Sequence, residues 1–211
     1  LKLGNGPDYE FYAPALSGAR CAVRNAVAPA GVADALAAVP GADAASIEAM
    51  ITWMPPDVRE DLTRFLADFL RLRPAVVHAW QDGVSLAAGF AAKLAGVPRI
   101  LVSSRNMNPT NFAYFRPYMR RAYRELAACA DIVMINNNAA AAGDYADWLD
   151  LPPGRWTVVR NGIDPGEFSR ADGAAAAEFR RSIGVPEGGP VVGSVFRFYD
   201  EKRPMLWIET A

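Results

Sequence analysis

Two cations near the end of the chain, Arg197 and Lys202, have the plainest chemistry. They follow the apolar run Val191-Val192-Gly193-Ser194-Val195-Phe196, and a helix start follows at Pro204. Gly193 inside that run permits close backbone approach. Two cations beside a helix N-terminus suit a diphosphate. The same residues also read as a charged surface turn. A second group begins at His78, near the end of the run Ala75-Val76-Val77-His78-Ala79-Trp80, with Gln81 and Asp82 directly after it. In open α/β sheets, ligands bind beyond the carboxyl ends of strands. The other reading of this group is a buried, hydrogen-bonded histidine and an aspartate that caps the next helix. The following apolar run ends in Ser103-Ser104-Arg105-Asn106. Arg105 and Asn106 there would meet an anionic or hydroxylated ligand, or else lie on a solvent loop.

Other chemistries find little support. No Walker loop, Gly-x-Ser-x-Gly elbow or His-Glu-x-x-His is present. Gly4-Asn5-Gly6 lacks a preceding strand and a third glycine, so it reads as a plain loop. A Ser-His-Asp hydrolase would have to use His78, and nothing marks its nucleophile. One histidine and no Cys-x-x-Cys leave no structural zinc site, so no metal is expected. Asn136-Asn137-Asn138 ends a third apolar run, and helix capping accounts for at least one of the three. Phe112, Tyr114, Phe115, Tyr118 and Tyr123 mix with Arg116, Arg120, Arg121 and Arg124. That stripe reads as half core and half solvated face, with contact to an anionic membrane surface as the alternative.

These groups need elements to hold them. Val- and Ile-rich runs at 75–80, 99–103, 131–135, 156–159 and 191–195 read as buried strands, with a weaker one at Arg20-Cys21-Ala22-Val23. Continuous rather than alternating apolar runs point to a parallel sheet covered on both faces. Between them lie helical patterns. Pro55 and Pro56 open one in which Val58, Leu62, Phe65, Leu66, Phe69 and Leu70 recur at helical spacing before Pro74. Others are expected over 85–95, 116–128, 139–149 and about 174–183, the first ending in Gly96-Val97-Pro98. The order gives βαβ units and an α/β, Rossmann-like parallel sheet flanked by helices. The domains are expected to be 1–160 (a sheet domain incomplete at its start), 161–190 (a connector opening in Asn161-Gly162-Ile163-Asp164-Pro165-Gly166), and 191–211 (the opening strand and helix of a second domain).

Composition narrows the class. The 211 residues are 52% apolar and 21% charged, which fits a folded protein. A net charge of −1 argues against a general nucleic-acid binder. Cys21 and Cys129 cannot form a disulfide scaffold and suit a reducing compartment. No apolar stretch reaches the roughly 20 residues that span a bilayer, and no signal peptide is visible. The missing initiator Met suggests a start partway into a longer protein. The Ala and Arg abundance points to a high-GC bacterial source.

Taken in order, the motifs resemble those of the family-4, or group 1, glycosyltransferases, which have the two-Rossmann-domain GT-B fold. Val158-Val159-Arg160-Asn161-Gly162-Ile163-Asp164, with Phe168 after it, looks like the "V-I-x-N-G-V-D…F" segment that joins the two domains. Gly193-Ser194-Val195-Phe196-Arg197 and Glu201-Lys202-Arg203 look like the "G-R-L…x-E-K-x" entry to the donor-binding domain. Val76-Val77-His78 and Ala130-Asp131-Ile132-Val133 match strands of the acceptor domain. The resemblance covers about Ala75 to Ala211, and more weakly the start.

It implies a retaining, metal-free enzyme that moves a sugar from a nucleotide-diphosphate sugar to a glycan or lipid-linked acceptor. Gly193, Arg197 and Lys202 would bind the donor, with Arg197 and Lys202 stabilising the departing diphosphate. His78, Gln81, Asp82, Arg105 and Asn106 would lie on the acceptor side. The family's glycine-rich first loop is expected before Leu1, and its paired glutamates after Ala211. Little activity is then expected of the fragment alone. Where the family often has "T-x-H", this chain has Ser104-Arg105-Asn106. The implied setting is polysaccharide assembly in the cytoplasm, at the inner membrane face if the protein binds membranes peripherally. A nucleotide-sugar 2-epimerase and a non-catalytic binding module of the same fold are the alternatives.

Overall fold

The computed structural model describes residues 18–19, 21–26, 32–41, 43–168, 172–186 and 188–210. Gly4-Asn5-Gly6 and Arg20 lie outside them. The chain divides into two compact units, Leu1–Asn161 and Gly162–Ala211.

In the first unit, helices α1 (Val32–Ala37), α2 (Ala44–Ile51) and α3 (Pro56–Leu72) precede the sheet. Proline in the first turn and Asp57 after it start α3, since neither needs an intrahelical N–H partner there. Val58, Leu62, Phe65, Leu66 and Phe69 bury one face, and Arg73 ends the helix in the left-handed conformation, its N–H donating to Phe69 O. Then follow β1 (Val76–Trp80), α4 (Asp82–Leu94), β2 (Arg99–Ser104), a 3-10 turn (Pro109–Asn111), α5 (Tyr118–Ala128), β3 (Ile132–Asn136), α6 (Ala139–Leu149) and β4 (Trp156–Val158). The four strands are parallel in the order β1-β2-β3-β4.

The order also places the connecting helices. The sequence implies a parallel sheet flanked by helices, and β1 to β4 with their helices form one. Right-handed crossovers that always step in one direction put every connecting helix on the same face. Val77, Ala79, Ile100, Val102, Ile132 and Met134 are buried on that face. The opposite face carries Val76, His78 and Trp80 of β1 in register with Arg99, Leu101 and Ser103 of β2. Val76, Trp80 and Val133 stay exposed there among the described residues.

Helix α4 packs close to the sheet because it is lined with small residues. Ala87, Ala88, Ala91 and Ala92 are buried. A Cβ at Gly89 would lie 3.1 Å from Leu126 Cδ1 and 3.2 Å from Val102 Cγ2. Gly89→Val therefore overpacks the junction of α4, β2 and α5. It should cost about 1–3 kcal/mol, read as a lower urea midpoint at unchanged slope. Arg155 closes the far end. It donates from Nε to Ala127 O at 2.6 Å and from Nη2 to Cys129 O and Ile132 O at 2.9 Å each. The first two are carbonyls at the end of α5, which a cation satisfies well, and the third opens β3.

In the second unit a 3-10 turn (Pro165–Phe168) leads to α7 (Gly173–Ser182), a 3-10 turn (Asp200–Lys202) and α8 (Pro204–Thr210). Helix α7 is capped by Asp172 and stops before Gly184 at φ +70°. Two expected strands are absent. Val191–Val195 has no strand partner, and Val192, Val195 and Phe198 are exposed. Cys21–Val23 forms no strand either, with only an isolated bridge at Asn25. Apolar residues mark where a strand can form. A strand forms only where a second backbone pairs with it.

Candidate functional site

The carboxyl ends of β1, β2 and β3 gather the polar residues of the first unit. β1 places His78 and Trp80 on the open face of the sheet, their rings 4.5 Å apart. The His78 Nε2 and the Ser103 hydroxyl are hydrogen-bonded at 2.6 Å. Partial burial holds the imidazole below its ordinary 6.5, so it is neutral at pH 7. Ser103 is 3% exposed, and no carboxylate lies in hydrogen-bond contact with His78 among the described residues. The pair is therefore not the start of a hydrolase relay, whose nucleophile must be reachable.

Gln81 turns the chain from β1 into α4. Its φ of 72° and ψ of 153° lie in a region that only glycine enters freely. The turn is held by its N–H donating to Ser103 O at 3.0 Å and by Ser85 Oγ donating to the same oxygen at 3.1 Å. It begins α4 at Asp82 rather than Ser85 and leaves the Gln81 side chain in solvent. Gln81→Gly should relieve the strain and stabilise the fold by about 1 kcal/mol. A thermal melt checks this, with no gain contradicting it.

Asp82 is not a ligand contact. It is 4% exposed, and its carboxyl group accepts hydrogen bonds from three tyrosines. Tyr123 donates at 2.6 Å, Tyr114 at 2.8 Å, and Tyr145 donates as well. It does not cap α4 through its side chain either. It ties the start of α4 to α5, to α6 and to the loop after β2. Burial, with the Asp82 charge adding to it, pushes the Tyr123 and Tyr145 hydroxyls well above their ordinary 10.0. A raised folded-state pKa keeps its stabilisation below the unfolded value and loses it as pH rises beyond that value. Stability should therefore fall above about pH 10 by roughly 1.4 kcal/mol per pH unit for each phenol. Urea titrations at pH 9 and pH 11 measure the fall, and Tyr145→Phe should remove one phenol's share.

The loop after β2 places Arg105 beside Trp80, its Cζ 5.1 Å from the ring centre. Its Nη2 donates to Asn161 Oδ1 at 2.6 Å. Asn106 donates to the Tyr114 hydroxyl at 3.4 Å, and its carbonyl accepts from Asn136 Nδ2 at 3.2 Å. Asn108 N–H donates to Asp144 at 2.6 Å, fixing the same loop to α6. The three asparagines divide their work. Asn138 caps α6 at Ala140 N, Asn136 bonds Ser104, and Asn137 reaches Asn161 Oδ1 at 3.4 Å. His78, Gln81, Arg105 and Asn106 are thus set at neighbouring strand ends. Trp80, Ser103 and Asn161 join them without having been singled out from the sequence. The signal for Trp80 was its place as the last residue of β1; that for Asn161 was the Asn-Gly turn after β4.

The aromatic-basic stripe resolves differently. Arg116 pairs with Asp57, Arg120 and Arg124 with Asp150, and Arg121 with Glu125 at 2.5–3.2 Å. Arg121 also stacks on Trp53. Four cations thus share three carboxylates, so most of the stripe's charge is answered within the protein. No described helix is long and apolar enough to cross a membrane, and no described cluster of His, Cys, Asp or Glu has the makings of a metal site.

Gly193, Arg197 and Lys202, the residues expected on the donor side, lie in the second unit. Arg197 stacks over Tyr199 at 5.3 Å, and Lys202 is exposed in the 3-10 turn. Gly193 sits in unpaired backbone, where a Cβ would meet nothing within 4 Å.

Comparison with known proteins bears on the site's chemistry. The profile of Glycosyltransferase Family 4 matches residues 12–167. The chain belongs to glycosyltransferase family 4. The match includes the GT-B acceptor-type sheet, the strand-end cluster and the Asn161 turn, and it stops before Gly193, Arg197 and Lys202. Among curated relatives is the Vi polysaccharide biosynthesis protein VipC/TviE of Salmonella typhi, 27% identical over 164 residues, or 77% of this chain and 28% of that protein. The D-inositol 3-phosphate glycosyltransferase of Salinispora arenicola is 38% identical over 81 residues, 37% of this chain and 18% of its own length. The enzyme of that name from Corynebacterium urealyticum is 27% identical over 115 residues, 54% of this chain and 27% of its own. The family-4 chain thus spans under a third of these relatives.

Proposed function

We propose that the full-length protein transfers a sugar from a nucleotide-diphosphate donor to a glycan or lipid-linked acceptor, with retention and without a metal or other cofactor. The observation that carries this reading is the family-4 match across the residues that form the strand-end cluster. On it, the acceptor lies over His78, Trp80 and Gln81, beside Arg105 and Asn106. A neutral His78, held by Ser103, hydrogen-bonds an acceptor hydroxyl without adding charge. Arg197 and Lys202 hold the donor diphosphate. Their role is to stabilise negative charge on the leaving group as the sugar centre becomes cationic. Residues 1–160 form the acceptor side, 161–190 the connector, and 191–211 the opening of the donor domain. This segment alone has little or no transfer activity. The name of one relative, a polysaccharide biosynthesis protein, supports a polysaccharide or glycan pathway. The proposed setting is the cytoplasm, with peripheral contact at the inner membrane face where a lipid-linked acceptor is used.

The test incubates the full-length protein with UDP-, GDP- and ADP-sugars, with and without a mixture of candidate acceptors. Proton NMR follows the anomeric signal. Acceptor-dependent loss of one donor, with the product keeping the donor's anomeric configuration, supports the reading. Acceptor-independent conversion of the donor sugar favours the epimerase instead. Binding of a donor without turnover leaves a non-catalytic module.

A further inference from the structure

We infer that the acceptor carries a negative charge on its sugar, a hexuronate carboxylate or a sugar phosphate, which Arg105 receives beside Trp80. This deepens the transferase reading and rests on it.

Arg105 is held by neutral groups. Its two contacts are the amide oxygen of Asn161 at 2.6 Å and the indole of Trp80 at 5.1 Å. In the same unit, Arg64, Arg71, Arg116, Arg120, Arg121 and Arg124 each pair with a carboxylate within 3.2 Å; Arg59, Arg73, Arg99, Arg155 and Arg160 do not among the described residues, and of the unpaired arginines Arg105 is the one that lies over Trp80. Arg105 has no carboxylate within ion-pair distance among the described residues. The acidic groups on neighbouring elements are already engaged. Asp82 is buried under three tyrosine hydroxyls, and Asp144 accepts from Asn108 N–H. The guanidinium at the strand ends therefore keeps its full charge and most of its N–H fork.

Position and company set the ligand class. Asn161 and Trp80 fix the guanidinium in place, so little freedom is lost when an anion binds. A planar guanidinium grips carboxylate or phosphate oxygens through two N–H groups. Trp80 is 47% exposed beside it and offers an apolar surface to sugar C–H groups. His78, neutral at pH 7, adds a hydrogen-bonding ring without competing charge. A sugar ring with one anionic substituent satisfies the whole set. A neutral sugar leaves the cation unanswered.

The test measures binding of three probes to the full-length protein by titration calorimetry: methyl glucuronide, glucose 6-phosphate and methyl glucoside. Wild type, Arg105→Ala and Arg105→Lys are compared. Arg105 is exposed, and a melting curve confirms that each variant is folded. One or both anionic probes should bind at least tenfold more tightly than methyl glucoside. Which of them does so distinguishes carboxylate from phosphate. Arg105→Ala should bring that ratio to about one, and Arg105→Lys should keep only part of it. Equal binding of anionic and neutral probes, or a ratio unchanged in Arg105→Ala, overturns the inference. Nucleotide-sugar turnover is measured on the same samples. Its absence would count against the transferase reading, while the binding ratio would still judge Arg105.

Discussion

Asp82→Ala is expected to destabilise the first unit by about 3–5 kcal/mol, because it strands two buried tyrosine hydroxyls at once. Tyr123 and Tyr145 are both fully buried and both donate to Asp82. Each loses its acceptor, at about 1–3 kcal/mol per unsatisfied group, and a small cavity adds to the cost. Tyr114 is 44% exposed and turns to water at little cost. Asp82→Asn should cost less, since its amide oxygen still accepts. Its NH2 meets hydroxyls that must rotate to accept. The loss is large against the 5–15 kcal/mol that holds a typical domain. A urea titration of both variants measures it. A loss below about 1 kcal/mol for Asp82→Ala would show that the three bonds are not formed together. The consequence reaches the site, because Asp82 anchors both the strained turn at Gln81 and the loop that carries Arg105 and Asn106.

Arg197→Ala and Lys202→Ala should each weaken donor binding in the full-length protein by about 1.5–3 kcal/mol, the scale of a hydrogen bond to a charged group. That is roughly 10- to 150-fold in Kd. Both residues are exposed in the second unit, so the loss should come without loss of folding. Binding of the nucleoside diphosphate alone should weaken as much as binding of the nucleotide sugar, because both cations act on the phosphates. Unchanged affinity in both variants would remove the donor assignment. Loss for the sugar but not for the diphosphate would move the two cations to the sugar.

The sheet was legible because burial writes itself locally. Four continuous apolar runs became β1 to β4, and helix α6 spans 139–149 as its pattern implied. Pairing is not written locally. Val191–Val195 is Val-rich like the runs that became strands, yet it forms no strand, since no described backbone pairs with it. Run composition also cannot show that every crossover from β1 to β4 steps the same way. Turn geometry moved the helix starts. The backbone at Gln81 opened α4 at Asp82, and Pro117 delayed α5 to Tyr118.

The site was half legible. His78 and Arg105 stood out as polar residues where apolar runs end. Asp82 misled for the same reason: its place after a strand end suggested a ligand, whereas its partners Tyr123 and Tyr145 come from helices far along the chain. Asn161 and Ser103 reach the site only through folding. The arginine stripe changed meaning once Asp57 and Asp150, remote in sequence, proved to face it.

The central claim is that the strand ends of the first unit receive the acceptor of a sugar-transfer reaction. The most direct measurement is the acceptor KM and the donor KM of the full-length protein, for wild type and Trp80→Ala. Trp80 is exposed beside His78 and Arg105, so its loss should spare the fold. The account predicts an acceptor KM raised at least tenfold with the donor KM nearly unchanged. An unchanged acceptor KM, or a rise confined to the donor, would contradict it.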